Sequence, residues 1–215
     1  MPKGEPLQIA SDLLLLHEGA ADLKVLGALM RRGGIAGYQP FGMGGQSNLR
    51  ALLKGLVLAP HFRSPVPVFG HPVRGLAIIL DAETDAEATF QKVRAALTSA
   101  GLPAPDRAGE IARGPLKVGV FIVPDNRSPG MIETLCLESV RDDSAWPCLD
   151  VFFSCVRERG GVLPENLDKA RAQAFLATRK DPALPVGLAA DEGYWRFEHQ
   201  AFQELTTFLR SIAED

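Results

Sequence analysis

The chain has 215 residues, enough to bury a sizeable core, and its 46% hydrophobic and 23% charged residues describe an ordinary globular protein. A net charge of −3 excludes a strong overall pull on nucleic acid, and no apolar run approaches the ~18 residues that span a bilayer. The opening Met-Pro-Lys-Gly-Glu-Pro lacks a signal peptide's succession of segments. Cys136, Cys148 and Cys155 are odd in number and without Cys-x-x-Cys spacing, so neither a disulfide framework nor a zinc site is expected. Buried thiols in a reducing cytoplasm are the simpler expectation.

In chain order, the run Leu13-Leu14-Leu15-Leu16 predicts a strand buried on both faces, ending in His17, Glu18 and Gly19. Residues 20–32 have a helical apolar face (Leu23, Leu26, Ala28, Leu29), Arg31 and Arg32 in the last turn, and Gly33-Gly34 as a stop. A second strand is expected over 35–41. Gly42 to Gly45 then form either a plain turn or a loop offering amides to a phosphate, but no Gly-Lys-Ser/Thr follows as a P-loop requires. A helix over 47–58 leads into a connection over 61–73, extended by Pro65, Pro67 and Pro72. The third strand, Leu76 to Leu80, runs into Asp81, Glu83 and Asp85. A helix over 86–100 follows, with Phe90, Val93, Ala96 and Leu97 on one face. Residues 103–115 read as loop with one short ordered piece, and 117–123 as the fourth strand.

Short apolar strands alternating with helices predict right-handed βαβ units: an α/β fold with a mainly parallel, four-stranded sheet flanked by helices over residues 1–140. Residues 141–215 read as a helical extension packed on it in a single unit. Its helices are expected over 148–159, with Leu149, Phe152, Phe153 and Val156 as core face, over 165–178 and over 199–213, after one at 131–140. Trp146 and Trp195 suit a core better than a base-stacking platform.

Ligand sites in parallel sheets lie beyond the carboxyl ends of the strands. Glu18, Asp22, Asp81, Glu83 and Asp85 are therefore expected to converge, although about sixty positions separate the two groups. Carboxylates held together repel, which favours protonation or a divalent cation, and oxygen-only ligands point to Mg²⁺ or Mn²⁺, with Ca²⁺ possible. Helix starts offer a competing explanation: Asp81 as a cap, and Asp22, Glu83 and Asp85 as first-turn acids complementing the helix dipole. Glu18, directly at the end of a buried strand, fits that explanation least. His17 should point away from Glu18 and pack. His61 and His71 lack a partner at metal spacing, and His199 begins the last helix.

A strand ending in Glu18-Gly19, an acid at Asp22, and a later strand ending in Asp81-x-Glu83 resemble the Toprim domain of topoisomerases, primases and OLD-like nucleases. Glu83 departs from the family's Asp-x-Asp by one methylene. Val118 to Asp125, Pro129 to Glu133 and Gly193-Tyr-Trp195 are similar to a small bacterial Toprim-like family of unknown function. The resemblance implies a Rossmann-like fold, Glu18 as general acid or base, and Mg²⁺ or Mn²⁺ on Asp81 and Glu83. It adds Asp22, Asp85 and Glu133 as further ligand candidates. A lysine beside the site would stabilise phosphate charge, and Lys117 is the candidate.

Between Asp22 and Asp81 there is no acid but seven cations: Lys24, Arg31, Arg32, Arg50, Lys54, Arg63 and Arg74. They predict an anion-binding patch for DNA or RNA, unless a buried sheet simply needs few carboxylates there. Two functions are thus expected: an Mg²⁺-dependent phosphodiester hydrolase, or a non-catalytic metal- or nucleic-acid-binding regulatory module acting with a protein partner.

Overall fold

Unbroken apolar runs are comfortable only where both faces of a strand are covered, and those of this chain form the middle of one sheet. The computed structural model describes residues 7–64, 70 and 72–214. Its strands are β1 (Leu13–His17), β2 (Tyr38–Gly42), β3 (Gly75–Asp81), β4 (Ile111–Ala112) and β5 (Lys117–Val123). Their order is β2-β1-β3-β5-β4. The first four are parallel, and β4 runs antiparallel to β5. The sheet therefore has five strands rather than the expected four. The extra one is the short ordered piece of the 103–115 loop, and two half-buried residues are too few to show an alternating pattern. β2 begins three residues later than expected, and Pro40 is tolerated there because β2 is an edge strand. Of the proline-rich connection over 61–73, residues 65–69 and 71, with Pro65, Pro67 and His71, lie outside the described residues.

Alternate strand residues feed two cores. Leu13, Leu15, Ala77, Ile79, Phe121 and Val123 face α1 (Ala20–Arg32), α4 (Ile132–Glu138), α6 (Leu167–Leu176), α7 (Val186–Asp191) and α8 (Gln203–Ala213). Leu14, Leu16, Ile78, Val120 and Ile122 face α2 (Leu49–Leu58) and α3 (Ala86–Ser99). α5 (Trp146–Glu158) reaches the first core through Trp146 and Leu149 and also buries Phe153. Phe152, expected in that core face, is instead 55% exposed, and Cys148 and Cys155, expected to be buried, are exposed on the same outer side of the helix, leaving only Cys136 as a buried thiol. The six residues of α7 are too few to repeat a helical period, which is why no helix is expected there from sequence. α7 is held by proximity: a Cβ on Gly187 would stand 2.9 Å from Lys24 Cβ and 3.2 Å from the Ala21 carbonyl oxygen. α8 likewise lies directly on the sheet. A Cβ on Gly119 would stand 2.7 Å from both Ile212 Cδ1 and Phe208 Cε2.

Because β1 and β3 are parallel neighbours, their carboxyl ends open at the same sheet edge, which brings the residues after His17 beside Asp81.

Candidate acidic site at the carboxyl edge of the sheet

Asp81 ends β3 on the face of Ala77 and Ile79 and is 9% exposed. Its Oδ1 accepts the Ile132 amide at 3.0 Å, which ties β3 to the first turn of α4. Glu133, in that turn, is 6% exposed, and its Oε2 has no hydrogen-bond partner. Glu18, half-buried just past β1, has a second such oxygen, Oε2. Asp22 reaches back from α1 to accept the Gly19 amide at 2.7 Å, fixing the turn that carries Glu18. Gln46 closes the site on the α2 side by donating to the Asp81 carbonyl at 3.0 Å.

Burial pushes the Asp81 carboxyl up to about 8, and the charges of Asp22, Glu133 and Glu18 push in the same direction. Glu18 is raised by burial and by Asp22 and Glu83, against the pull of the Gln46 side chain and Lys169. Glu133 is raised by burial and by Asp22 and Asp168, against its own backbone amide and Lys169. Cys136, fully buried on α4, is raised by desolvation and by Glu133, Asp22 and Asp81, which makes it a packing thiol rather than a nucleophile. Thus Glu18, Asp22, Asp81 and Glu133 act on one another.

The other expected residues fall elsewhere. Asp85 caps α3, its Oδ1 accepting the Ala88 amide at 2.9 Å, so the capping explanation describes it better than a ligand role. Glu83 is exposed, with φ +54, in a turn whose backbone exchanges two 2.9 Å hydrogen bonds with Gly130. It borders the cleft outside the buried set. Lys117 starts β5, whereas Val123, at the other end of that strand, is level with Asp81. Six residues of strand put Lys117 about 20 Å from the acids, and it donates to the Glu214 carbonyl. Lys117 is therefore replaced by Lys169, in the first turn of α6, as the lysine whose charge is felt by Glu18 and Glu133. α6 is tied to α4 by the Thr134 hydroxyl, which donates to Asp168 at 2.5 Å. A cleft of about 400 Å³ opens between that turn, Glu83-Thr84 and Pro129-Gly130. Only a lysine-to-acid proximity in three dimensions identifies Lys169, and no sequence spacing signals it.

His17 is buried and its pKa is lowered by burial; Nδ1–H donates to the Gly19 carbonyl at 2.9 Å, a packing role. The Gly42–Gly45 segment is the plain turn. Two of its amides, at Met43 and Gly44, already bond the His17 and Glu18 carbonyls at 2.9 and 3.0 Å. Six of the seven cations are spread over separate parts of the molecule. Lys24 and Arg31 pair with Asp191, and Arg32 with Glu198, all on the α1 side. Arg50 and Lys54 lie on α2 across the sheet, and Arg74 pairs with Asp12 at 2.5 Å at the opposite edge.

Among the described residues, no three His, Cys, Asp or Glu side chains stand ready in ligating geometry. The donor chemistry nevertheless fits a hard divalent cation: two orphaned carboxylate oxygens beside an acid whose proton is held by burial and, after it, by its neighbours' charge.

No helix is long and apolar enough to cross a membrane, judged over the described residues. A comparison with curated proteins found no match, and a comparison with solved structures found none. Residues 12–214, nearly the whole chain, match the model of one family, and the chain therefore belongs to the family described as "Protein of unknown function (DUF3226)".

Proposed function

We propose that this edge of the sheet binds Mg²⁺ or Mn²⁺ and that the protein hydrolyses a phosphodiester of nucleic acid, as the Toprim resemblance implies. One observation carries the reading: Glu133 is buried with an unpartnered Oε2, and the unpartnered Oε2 of Glu18 belongs to the same acidic set. Leaving a buried acceptor unsatisfied costs about 1–3 kcal/mol, and more when it is charged, so a site that keeps two is built for something to fill it.

Glu18, Asp81 and Glu133 would hold the ion, with Asp22 beside them. Such an ion polarises a phosphoryl oxygen and acidifies bound water. The protein's own groups supply the rest. Asp81, whose proton is held first by burial and then by the charges of Asp22, Glu133 and Glu18, would release it to ligate a cation. Glu18, whose pKa is also raised, is suited to take a proton from an attacking water. Lys169, in the first turn of α6, stands where its charge acts on Glu18 and Glu133 and would meet the phosphate there.

Cleavage of single- and double-stranded DNA and RNA with Mg²⁺ or Mn²⁺ tests the reading. Activity is expected in the wild type and should fall at least a hundredfold in Glu18→Gln and Asp81→Asn (~10² is the low end for a lost general base). A second reading, a non-catalytic regulatory module acting with a partner, draws support from the pairing of Lys24, Arg31 and Arg32 with Asp191 and Glu198. Metal binding without cleavage of any of these substrates would select it.

A further inference from the structure

The outer side of α5 carries a second apolar stripe that the fold leaves open. Its inner seam of Trp146, Leu149 and Phe153 is buried and held by Arg171. That guanidinium pairs with Asp150 at 2.8 Å and lies over the Trp146 and Phe153 rings at 5.8 and 5.4 Å. Around the helix, Cys148, Val151, Phe152 and Cys155 follow at i, i+3, i+4 and i+7, the spacing of a single face. Val151 is 68% and Phe152 55% exposed, and both cysteines are exposed free thiols. With Val156 and Arg159 they line an apolar groove of about 550 Å³, and Val162, just beyond the helix, is 95% exposed. Nothing among the described residues covers this face.

We propose that the stripe is a homodimer interface, in which α5 packs antiparallel against α5 of a second copy. A two-fold interface requires a patch complementary to itself. Cys148-x-x-Val151-Phe152-x-x-Cys155 has that property, because its small and large members are symmetric about the Val151–Phe152 midpoint. An axis through that midpoint sets Cys148 beside Cys155 of the second copy and Val151 beside its Phe152. Charge selects the direction. Arg159 borders the groove at the C-terminal end of α5, and Asp142, paired with Arg196 but with its side chain still 71% exposed, precedes the N-terminal end; Asp143 is turned inward onto Arg179. Antiparallel packing brings Arg159 toward the exposed Asp142 of the second copy, whereas parallel packing would set Arg159 against Arg159. A helix of 13 residues is about 20 Å long, and two such faces with Val162 bury on the order of 1,000 Å², the low end for a specific interface. The dimer should accordingly be a micromolar one.

Sedimentation velocity of the full chain up to about 100 µM should show a concentration-dependent dimer, since association of this size falls in the micromolar range. Val151→Lys, at an exposed position, should be monomeric with an unchanged circular-dichroism spectrum and melting temperature. A short bismaleimide should link Cys148 of one copy to Cys155 of the other, as read by mass spectrometry, and the Cys148→Ser, Cys155→Ser double variant should not cross-link. A wild type that stays monomeric at that concentration overturns the proposal, even if the face captures some other peptide. A dimer that survives Val151→Lys, or links mainly Cys148 to Cys148, overturns it equally.

Discussion

At the scale of single residues, Asp81 is where the protein's stability and its site chemistry oppose each other. Its folded pKa, about 8, lies above the ordinary 3.8, so the folded state holds a proton that the unfolded chain has already lost between those values. The sign follows from linkage: stability present in acid is lost as pH rises from about 4 to about 8 and then levels off. Asp81→Asn keeps an acceptor for the Ile132 amide and removes the titration. It should raise the melting temperature at pH 8 to 9, by an amount corresponding to a few kcal/mol, and barely change it near pH 4. Thermal melts of both proteins across that range check this. Equal effects at both ends would mean that Asp81 is not held protonated. The same reasoning makes divalent-cation affinity rise with pH toward about 8.

Elements in this fold are held by close approach as much as by apolar area. α8 touches β5 where Gly119 leaves no room, so Gly119→Ala should destabilise by about 1–3 kcal/mol through overpacking, measured by urea denaturation. Asp85 belongs to α3 and not to the acidic set: Asp85→Ala should cost about 1 kcal/mol as a lost helix cap while leaving cation affinity unchanged. A large loss of affinity would return Asp85 to the ligands. Most helices and the three central strands were legible in the sequence, because each repeats its period over at least two turns or an unbroken apolar run. β4 and α7 were not, since two and six residues cannot establish a period. Phe152 was misplaced for a different reason. α5 has two apolar stripes, and periodicity cannot tell which one the rest of the chain covers.

Across the whole molecule, parallel topology decides which distant residues meet. That the Glu18 and Asp81 turns share an edge follows from two neighbouring parallel strands and could be read before any coordinates. Lys117 fails by the same rule: it begins its strand, so it lies at the far edge. Lys169 and the buried state of Glu133 depend on how α4 and α6 dock through Thr134 and Asp168, which no spacing encodes. The cations expected to form one face are divided: Lys24, Arg31 and Arg32 on α1 meet Asp191 and Glu198 from the C-terminal half, while Arg50 and Lys54 lie on α2 across the sheet. Any nucleic-acid binding should therefore have a shallow salt dependence, a slope of about 1–3 in log K against log salt, read by fluorescence anisotropy. A steep slope would reveal a cationic surface that these ion pairs do not leave.

Titration calorimetry with Mn²⁺ at pH 8, on wild type, Asp81→Asn and Glu133→Gln, tests the central claim most directly. The acidic set predicts wild-type binding accompanied by proton release, detected as a dependence of the heat on buffer ionisation enthalpy. Each variant should remain folded and lose about tenfold or more in affinity. A wild type that takes up no Mn²⁺, or three proteins that bind it equally, would contradict the claim.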